Sequence, residues 1–267
     1  MKSSDEKTQL ERYREIRGAT EELAAPLSPE DCVVQSMPDA SPVKWHLGHT
    51  TWFFETFVLQ PAFPGRKPID ASFGYLFNAY YNATGDRQAR PQRGLITRPA
   101  LDDVRRYRRL VDGEMCDFLG GSIAPEAAAV VEIGLQHEQQ HQELIVTDVK
   151  HLLSCNPLRP AYVEEACTGA SAAGEACGVD WLEYPGGVVE IGDAGDRFSY
   201  DNERPRHREY LHSYSLASRP VTNGEFLRFM ADGGYARADH WLSDGWDAVC
   251  ANGWNAPLYW EERDGRW

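Results

Sequence analysis

Gly134-Leu135-Gln136-His137-Glu138-Gln139-Gln140-His141-Gln142-Glu143-Leu144 lies inside the longest uninterrupted helical pattern of the chain. Two histidines four residues apart on a helix sit one above the other on a single face, close enough for their imidazoles to share one metal ion. Ile133, His137, His141, Leu144 and Asp148 follow the helical period, so this face is expected to point into whatever the helix packs against. A single inward histidine is usually a hydrogen-bonded core residue, but a pair at ligand spacing points to a metal. A third ligand must then come from elsewhere in the chain.

Two histidines on an earlier aromatic stretch can supply it. Trp45-His46-Leu47-Gly48-His49-Thr50-Thr51-Trp52-Phe53-Phe54 reads as a helix from residue 43 to about residue 59, opened by Ser41-Pro42 as a hydroxyl cap followed by proline at the first helical position. His46 and His49 lie three apart on nearly the same face, so either could join the pair inside a helical bundle, where facing helices commonly build metal sites. Neutral histidines would leave the metal its full charge and open positions for exogenous ligands. His151, His207, His212 and His240 have no partner at ligand spacing and read as structural or exposed.

The rest of the first half supplies the bundle. A first helix is expected over about residues 5–25, with Leu10, Tyr13, Ile16, Thr20 and Leu23 in one stripe. A shorter segment over about residues 73–82 contains Asn78-Ala79-Tyr80-Tyr81 and precedes a basic loop with Arg87, Arg90, Arg93 and Arg98. Those arginines are either solvated or, in pairs, a clamp for a substrate carboxylate, for which the planar guanidinium fork is suited. A helix over about residues 100–119 is stopped by Gly120-Gly121, and Pro125 opens the long histidine helix, which is expected to end near residue 154.

Residues 166–178, rich in alanine, glycine and cysteine, have neither period nor bulk and read as a linker. Beyond them come short strands, turns, glycines and one clear helix over about residues 223–231. The expected organisation is therefore a helical bundle over residues 1–154, a linker over 155–179 and an irregular α+β domain over 180–267, an α plus (α+β) fold class.

Composition narrows the function classes. With 267 residues, 42% of them hydrophobic, the chain can bury a core in each of two domains. A formal charge of -14 disfavours a nucleic-acid partner or an anionic membrane surface and favours a small-molecule substrate. Neither a signal-peptide core nor a spanning stretch is visible, so the cytoplasm is the expected compartment, and six scattered cysteines are expected to be reduced thiols.

His137-Glu138-Gln139-Gln140-His141 also fits the H-E-x-x-H pattern of zinc peptidases, in which the glutamate activates water. Leu144 and Thr147 stand where the longer metzincin pattern needs glycine and histidine, and the preceding chain lacks the sheet expected beside such a helix. The peptidase therefore ranks below the alternatives.

The two histidine stretches together, Trp45 to His49 and His137 to Glu143, resemble the iron-binding pattern of the ergothioneine-type sulfoxide synthases, which join a DinB-like bundle to a formylglycine-generating-enzyme-like domain. The second half agrees: Pro220-Val221-Thr222-Asn223-Gly224-Glu225-Phe226-Leu227, Asp232-Gly233-Gly234-Tyr235 and Trp241-Leu242-Ser243-Asp244-Gly245-Trp246 are similar to that domain's opening motifs. The resemblance implies an iron(II)- and O2-dependent enzyme that joins the sulfur of cysteine or γ-glutamylcysteine to C2 of the imidazole of trimethylhistidine (hercynine), with sulfoxide formation. It implies His49, His137 and His141 as iron ligands, with His46 at a position where the family accepts other residues. It also implies Gln140 as a partner for the substrate imidazole, Arg90 and Arg93 as the holders of the thiol substrate's carboxylate, and the Tyr80-Tyr81 pair as proton donor near the iron. Glu138 then has no assigned chemistry. Members of the family continue well past 267 residues, so the chain is expected to be C-terminally incomplete. An ovothiol-type synthase acting on unmethylated histidine, or a metal-binding product without turnover, are the alternatives.

Overall fold

The structure is a computed structural model that describes residues 7–79, 86–164, 178–195 and 197–267. The chain divides into two compact units, Met1–Glu165 and Ala166–Trp267.

Among the described residues, four long helices and one short one make the first unit. Helix α1 spans Gln9–Ala24 and begins in a reciprocal cap: Thr8 Oγ1 accepts from the Glu11 amide while the Glu11 carboxylate accepts from the Thr8 amide. Helix α2, Val43–Phe54, is buried along its whole length and runs on through a π-helical turn, Glu55–Leu59, and a last short turn, Gln60–Ala62. The short helix α3 is Phe73–Leu76, followed by a 3-10 turn at Arg90–Leu95. Helices α4, Leu101–Leu119, and α5, Pro125–Cys155, complete the set, with α2 packed against α4 and α5 and α1 against α5 and α4. The close approach of α5 to α2 depends on Gly134: a Cβ there would lie 2.6 Å from Phe54 Cε1 and 2.8 Å from Phe53 Cε1.

Several expectations shift in detail. Helix α2 does not continue as regular α-helix to residue 59. Its π turn carries Glu55, 1% exposed, whose carboxylate accepts from Tyr107 Oη, Arg66 Nη1 and the Ile69 amide, so the extra residue in the turn places an acid inside the bundle. Ser41 does not cap α2. Its amide donates to Asp148 Oδ2 and its hydroxyl accepts from Arg93 Nη1, which ties the start of α2 to α5 and to the basic loop. Of the segment expected over residues 73–82, the described part, to residue 79, is helical for Phe73–Leu76, and residues 80–82 lie outside the described residues.

The inward face of α5 also differs from the expected one. Ile133 is 41% exposed and Leu144 39% exposed, while Val131, Gly134, Leu135, Glu138, His141, Ile145, Asp148 and Val149 form the buried stripe. His137 sits at its edge. Three acids or histidines in that stripe are each buried only because another element supplies a partner.

Among the described residues, the second unit holds two antiparallel strand pairs. Strand β1, Trp181–Tyr184, pairs with β4, Tyr214–Ala217, and β2, Gly187–Ile191, pairs with β3, His207–Leu211. Helix α6, Asn223–Ala231, opens in a Thr222–Glu225 capping box. It does not stand alone: α7, Ser243–Asn252, follows and ends at Gly253 with a left-handed φ of 62°. Its pattern had been obscured by its own glycine and tryptophan and by the turn residues around it. The sheet-poor α+β character expected of this half is observed. Among the described residues no helix is long and apolar enough to cross a membrane. Cys32, Cys116, Cys155 and Cys250 are free thiols, and Cys167 and Cys177 lie outside the described residues.

Candidate metal centre

Helices α2 and α5 bring His49, His137 and His141 together, with one ligand nitrogen from each within 4.8 Å of the others. The Nε2 atoms of His49 and His137 are 3.1 Å apart. His49 Nδ1 lies 2.5 Å from the carbonyl oxygen of Phe77, which can only accept, so Nδ1 carries the proton and Nε2 presents its lone pair to the cluster. This contact depends on Gly48. A Cβ on Gly48 would stand 2.4 Å from the Phe77 ring, so only glycine lets Phe77 lie against α2 and offer its carbonyl to the neighbouring histidine. The glycine of the Trp-His-Leu-Gly-His stretch therefore serves the ligand beside it.

His46 points to the same region by another route. Its Nδ1 is 2.8 Å from His141 Nδ1 and its Nε2 is 3.1 Å from Asp148 Oδ2. It is 2% exposed and borders the same cavity as His141. Among the described residues, His137 Nδ1 is buried and has no hydrogen-bond partner.

All four imidazoles are held neutral. Burial pushes His49 well below the ordinary histidine range, with His137 beside it acting in the same direction. His141 is driven well below by burial and by His49, and His46 is lowered by burial against the pull of Asp148. Burial lowers His137 to about 4, although Glu138 opposes the shift. Neutral imidazoles with converging lone pairs are the donor set that binds zinc, copper, iron or nickel, so the residues present fit a resident metal ion.

A cavity of about 350 Å³ opens in front of the histidines, and Trp45, Ala79, Arg90, Arg93, Gln140 and Leu144 help to line it. The Trp45 ring stacks on His49 with centroids 4.6 Å apart and planes 13° from parallel. The Arg93 guanidinium carbon also lies 3.3 Å from the Trp45 ring centre, a cation–π contact that lends the pocket wall a fixed positive charge. Arg93 is 5% exposed, Arg90 is half-buried and its Nη2 donates to the Asp39 carbonyl, and Gln140 is exposed at the mouth. The structure thus gathers Arg90, Arg93, Gln140 and the three histidines around one cavity. Arg87 and Arg98 are exposed and are not among the residues lining this cavity. Tyr80 and Tyr81 lie outside the described residues, next in sequence to the buried Ala79.

Glu138 faces away from this cavity and is 0% exposed. Its carboxylate accepts from Arg17 Nη1 at 2.9 Å, Arg108 Nη2 at 2.6 Å and Thr20 Oγ1 at 2.7 Å. Arg17 also donates to Asp112 Oδ1 and to Thr51 Oγ1, and Arg108 to Thr50 Oγ1, so the ion cluster ties α1, α2, α4 and α5 together. Burial opposes ionisation of Glu138, but Arg108 and Arg17 outweigh it and hold the carboxyl at about 2. A carboxylate so fully engaged cannot act as the water-activating base of a peptidase. Its role was hidden in the sequence because Arg17 lies 121 residues away, although an acid in the buried stripe of α5 was itself a sign that a cation must meet it.

The chain matches the DinB superfamily over residues 12–145 and the sulfatase-modifying factor enzyme 1-like domain over residues 176–266. It is 29% identical over 227 residues to a hercynine oxygenase of Mycolicibacterium thermoresistibile, covering 84% of this chain and 48% of that protein. It is 30% identical over 224 residues to a hercynine oxygenase of Mycobacterium tuberculosis, covering 84% of this chain and 50% of that one. An ergothioneine biosynthesis protein 1 of Neurospora crassa is 22% identical over 149 residues, which is 50% of this chain and 17% of the fungal protein. The chain spans about half the length of the hercynine oxygenases it matches. With the first match covering half of its residues, the chain belongs to the DinB superfamily, and it follows that bundle with a sulfatase-modifying-factor-like domain, as its resemblance to the ergothioneine-type sulfoxide synthases requires.

Proposed function

We propose that the chain carries the metal centre of an iron(II)- and O2-dependent sulfoxide synthase of ergothioneine biosynthesis, which joins hercynine to cysteine or γ-glutamylcysteine. The observation that carries this reading is a cluster of three neutral histidines opening onto a cavity walled by arginine and glutamine, in a chain similar to hercynine oxygenases over most of its length. Iron is preferred to zinc because the relatives are named as oxygenases and oxygen chemistry needs a metal that changes oxidation state. Bound by His49, His137 and His141, iron(II) would activate O2, with the thiol S–H and the imidazole C–H giving up the four electrons, one oxygen atom ending in the sulfoxide and the other in water.

The remaining roles fall to the chain's own side chains. Arg93, fixed on Trp45 and Ser41, and Arg90 beside it would hold the carboxylate of the thiol substrate and so aim its sulfur at the histidines. Gln140, one residue before His141 and at the mouth of the cavity, would hydrogen-bond the substrate imidazole. The Tyr80-Tyr81 pair, adjacent to Ala79 in the cavity wall, would deliver a proton during the reaction. The low affinity of the buried site for protons keeps the ligands available to the metal at neutral pH.

The test is anaerobic loading with iron(II) followed by oxygen uptake with hercynine and either thiol, with the product mass read in parallel. Uptake coupled to a sulfoxide product supports the proposal, and the faster thiol identifies the second substrate. Stoichiometric iron with no uptake from any hercynine and thiol pair makes this chain a metal-binding protein without turnover. Uptake and product with unmethylated histidine alone would make it the ovothiol-type enzyme.

A further inference from the structure

The three histidines of the cluster are not supported alike. His49 is fixed by the Phe77 carbonyl, and His137 has a buried Nδ1 without a partner among the described residues. His141 meets another histidine, and that histidine meets a carboxylate. Asp148 Oδ2 accepts from the Ser41 amide at 2.8 Å and faces His46 Nε2 at 3.1 Å. A carboxylate oxygen already accepting an amide proton is an acceptor for His46 as well, so His46 carries its proton on Nε2. Its Nδ1 is then a lone pair, and across 2.8 Å His141 must donate from Nδ1. That leaves the lone pair of His141 on Nε2, the nitrogen it would offer to a metal.

We infer that Asp148 and His46 form a buried two-residue relay that fixes the tautomer and ring orientation of His141, and so act as positioning residues for the metal centre. The relay is buried: His46 is 2% exposed, His141 7% and Asp148 8%, although His46 and His141 also border the cavity. All three groups lie on the two helices that carry the ligands, and Asp148 stands seven residues after His141, two turns along the same face of α5. The Trp45 ring closes the top, 5.6 Å from His46 and 6.1 Å from His141 between centroids. Through Ser41 the relay also touches the pocket wall, because the residue whose amide holds Asp148 has its hydroxyl on Arg93.

The inference rests on the reading of His141 as a metal ligand, and its tests are arranged to separate the two. The first is made on the metal-free full chain with ¹⁵N-labelled histidine: the ring nitrogens of His141 should report a proton on Nδ1, and those of His46 a proton on Nε2. The reverse tautomers, or an even mixture, overturn the relay whether or not the chain binds metal. The second is iron(II) affinity, measured anaerobically. His46→Phe and Asp148→Leu should each weaken binding about 10- to 100-fold, the range for losing the group that orients a metal-bound histidine. His46→Asn, which puts an amide oxygen near the position of Nδ1, should return affinity to within a few fold of the native chain. Equal loss in the asparagine and phenylalanine variants, both retaining the native helical signal, would show that His46 only fills space and would overturn the inference. Unchanged affinity in both phenylalanine and leucine variants would overturn it too. A native chain that binds no iron at all while showing the expected tautomers would instead refute the metal reading and leave the relay standing.

Discussion

Replacing Glu138 by glutamine tests the meaning of the H-E-x-x-H match and the origin of the bundle's stability together. In the native chain its two oxygens take hydrogen bonds from Arg17, Arg108 and Thr20, all inside the protein. Glutamine keeps the shape but removes the charge and turns one acceptor into a donor that faces a guanidinium. Arg17 keeps Asp112, whose side chain is 28% exposed, and Arg108 keeps Glu21, 43% exposed, at 2.7 Å from its Nε. Breaking a buried ion pair from one side costs about 3–5 kcal/mol, and these partly solvated carboxylates set the expectation near the lower end, about 3 kcal/mol. For a unit of this size that corresponds to a fall in midpoint of roughly 6–12 °C, read from the loss of helical circular dichroism. A glutamate serving as catalytic base would behave otherwise, since functional acids commonly cost stability and their removal is neutral or favourable. A midpoint within about 2 °C of native in Glu138→Gln would refute the ion-cluster account. Metal-dependent peptide cleavage that disappeared in the variant would restore the peptidase.

Other expectations follow from the same geometry. Gly48→Val should force the Phe77 ring away from α2, loosen the contact of its carbonyl with His49 and weaken iron binding by at least about tenfold, measurable by anaerobic titration. Arg93→Lys keeps the charge but loses the planar stack on Trp45; with the native thiol substrate, KM should rise severalfold while iron content stays near one per chain. For pH, His137 titrates at about 4 in the folded chain and near 6.5 when unfolded, so between those values the unfolded state binds more protons. Stability of the metal-free chain should therefore be full above about pH 6.5 and fall as pH drops to about 4, by up to about 3 kcal/mol from this residue. His137→Gln should flatten that part of the profile in denaturant titrations at a series of pH values.

Much of the bundle was legible because its signals are local. Pro125 and Gly120-Gly121 mark helix ends through chemistry confined to one turn, and the structure places those ends within a few residues of expectation. The histidine pair was legible for the same reason, since four-residue spacing on a helix determines proximity. What the sequence hid depends on groups distant along the chain. Ile133 and Leu144 looked inward because they are apolar, yet the buried stripe runs through Glu138, whose burial follows from Arg17 and Arg108, while Asp148 is inward as expected and meets His46 and the Ser41 amide. Helical spacing left His46 and His49 as equal candidates, and it was the family resemblance that favoured His49; the contacts of each ring, which spacing does not determine, are what set them apart. The π turn at Glu55 was likewise invisible, since it answers Tyr107 and Arg66, which come later in the chain. In the second unit, α7 was missed where the amphipathic period is broken by Gly245.

The central claim is that His49, His137 and His141 hold one iron ion. Its most direct test is anaerobic iron(II) titration of the full chain with metal analysis after desalting, repeated on His49→Ala, His137→Ala and His141→Ala. The account predicts one iron per native chain and its loss in each variant, with the helical signal retained. A variant that keeps a full equivalent of iron, or a native chain that takes up none, would contradict it.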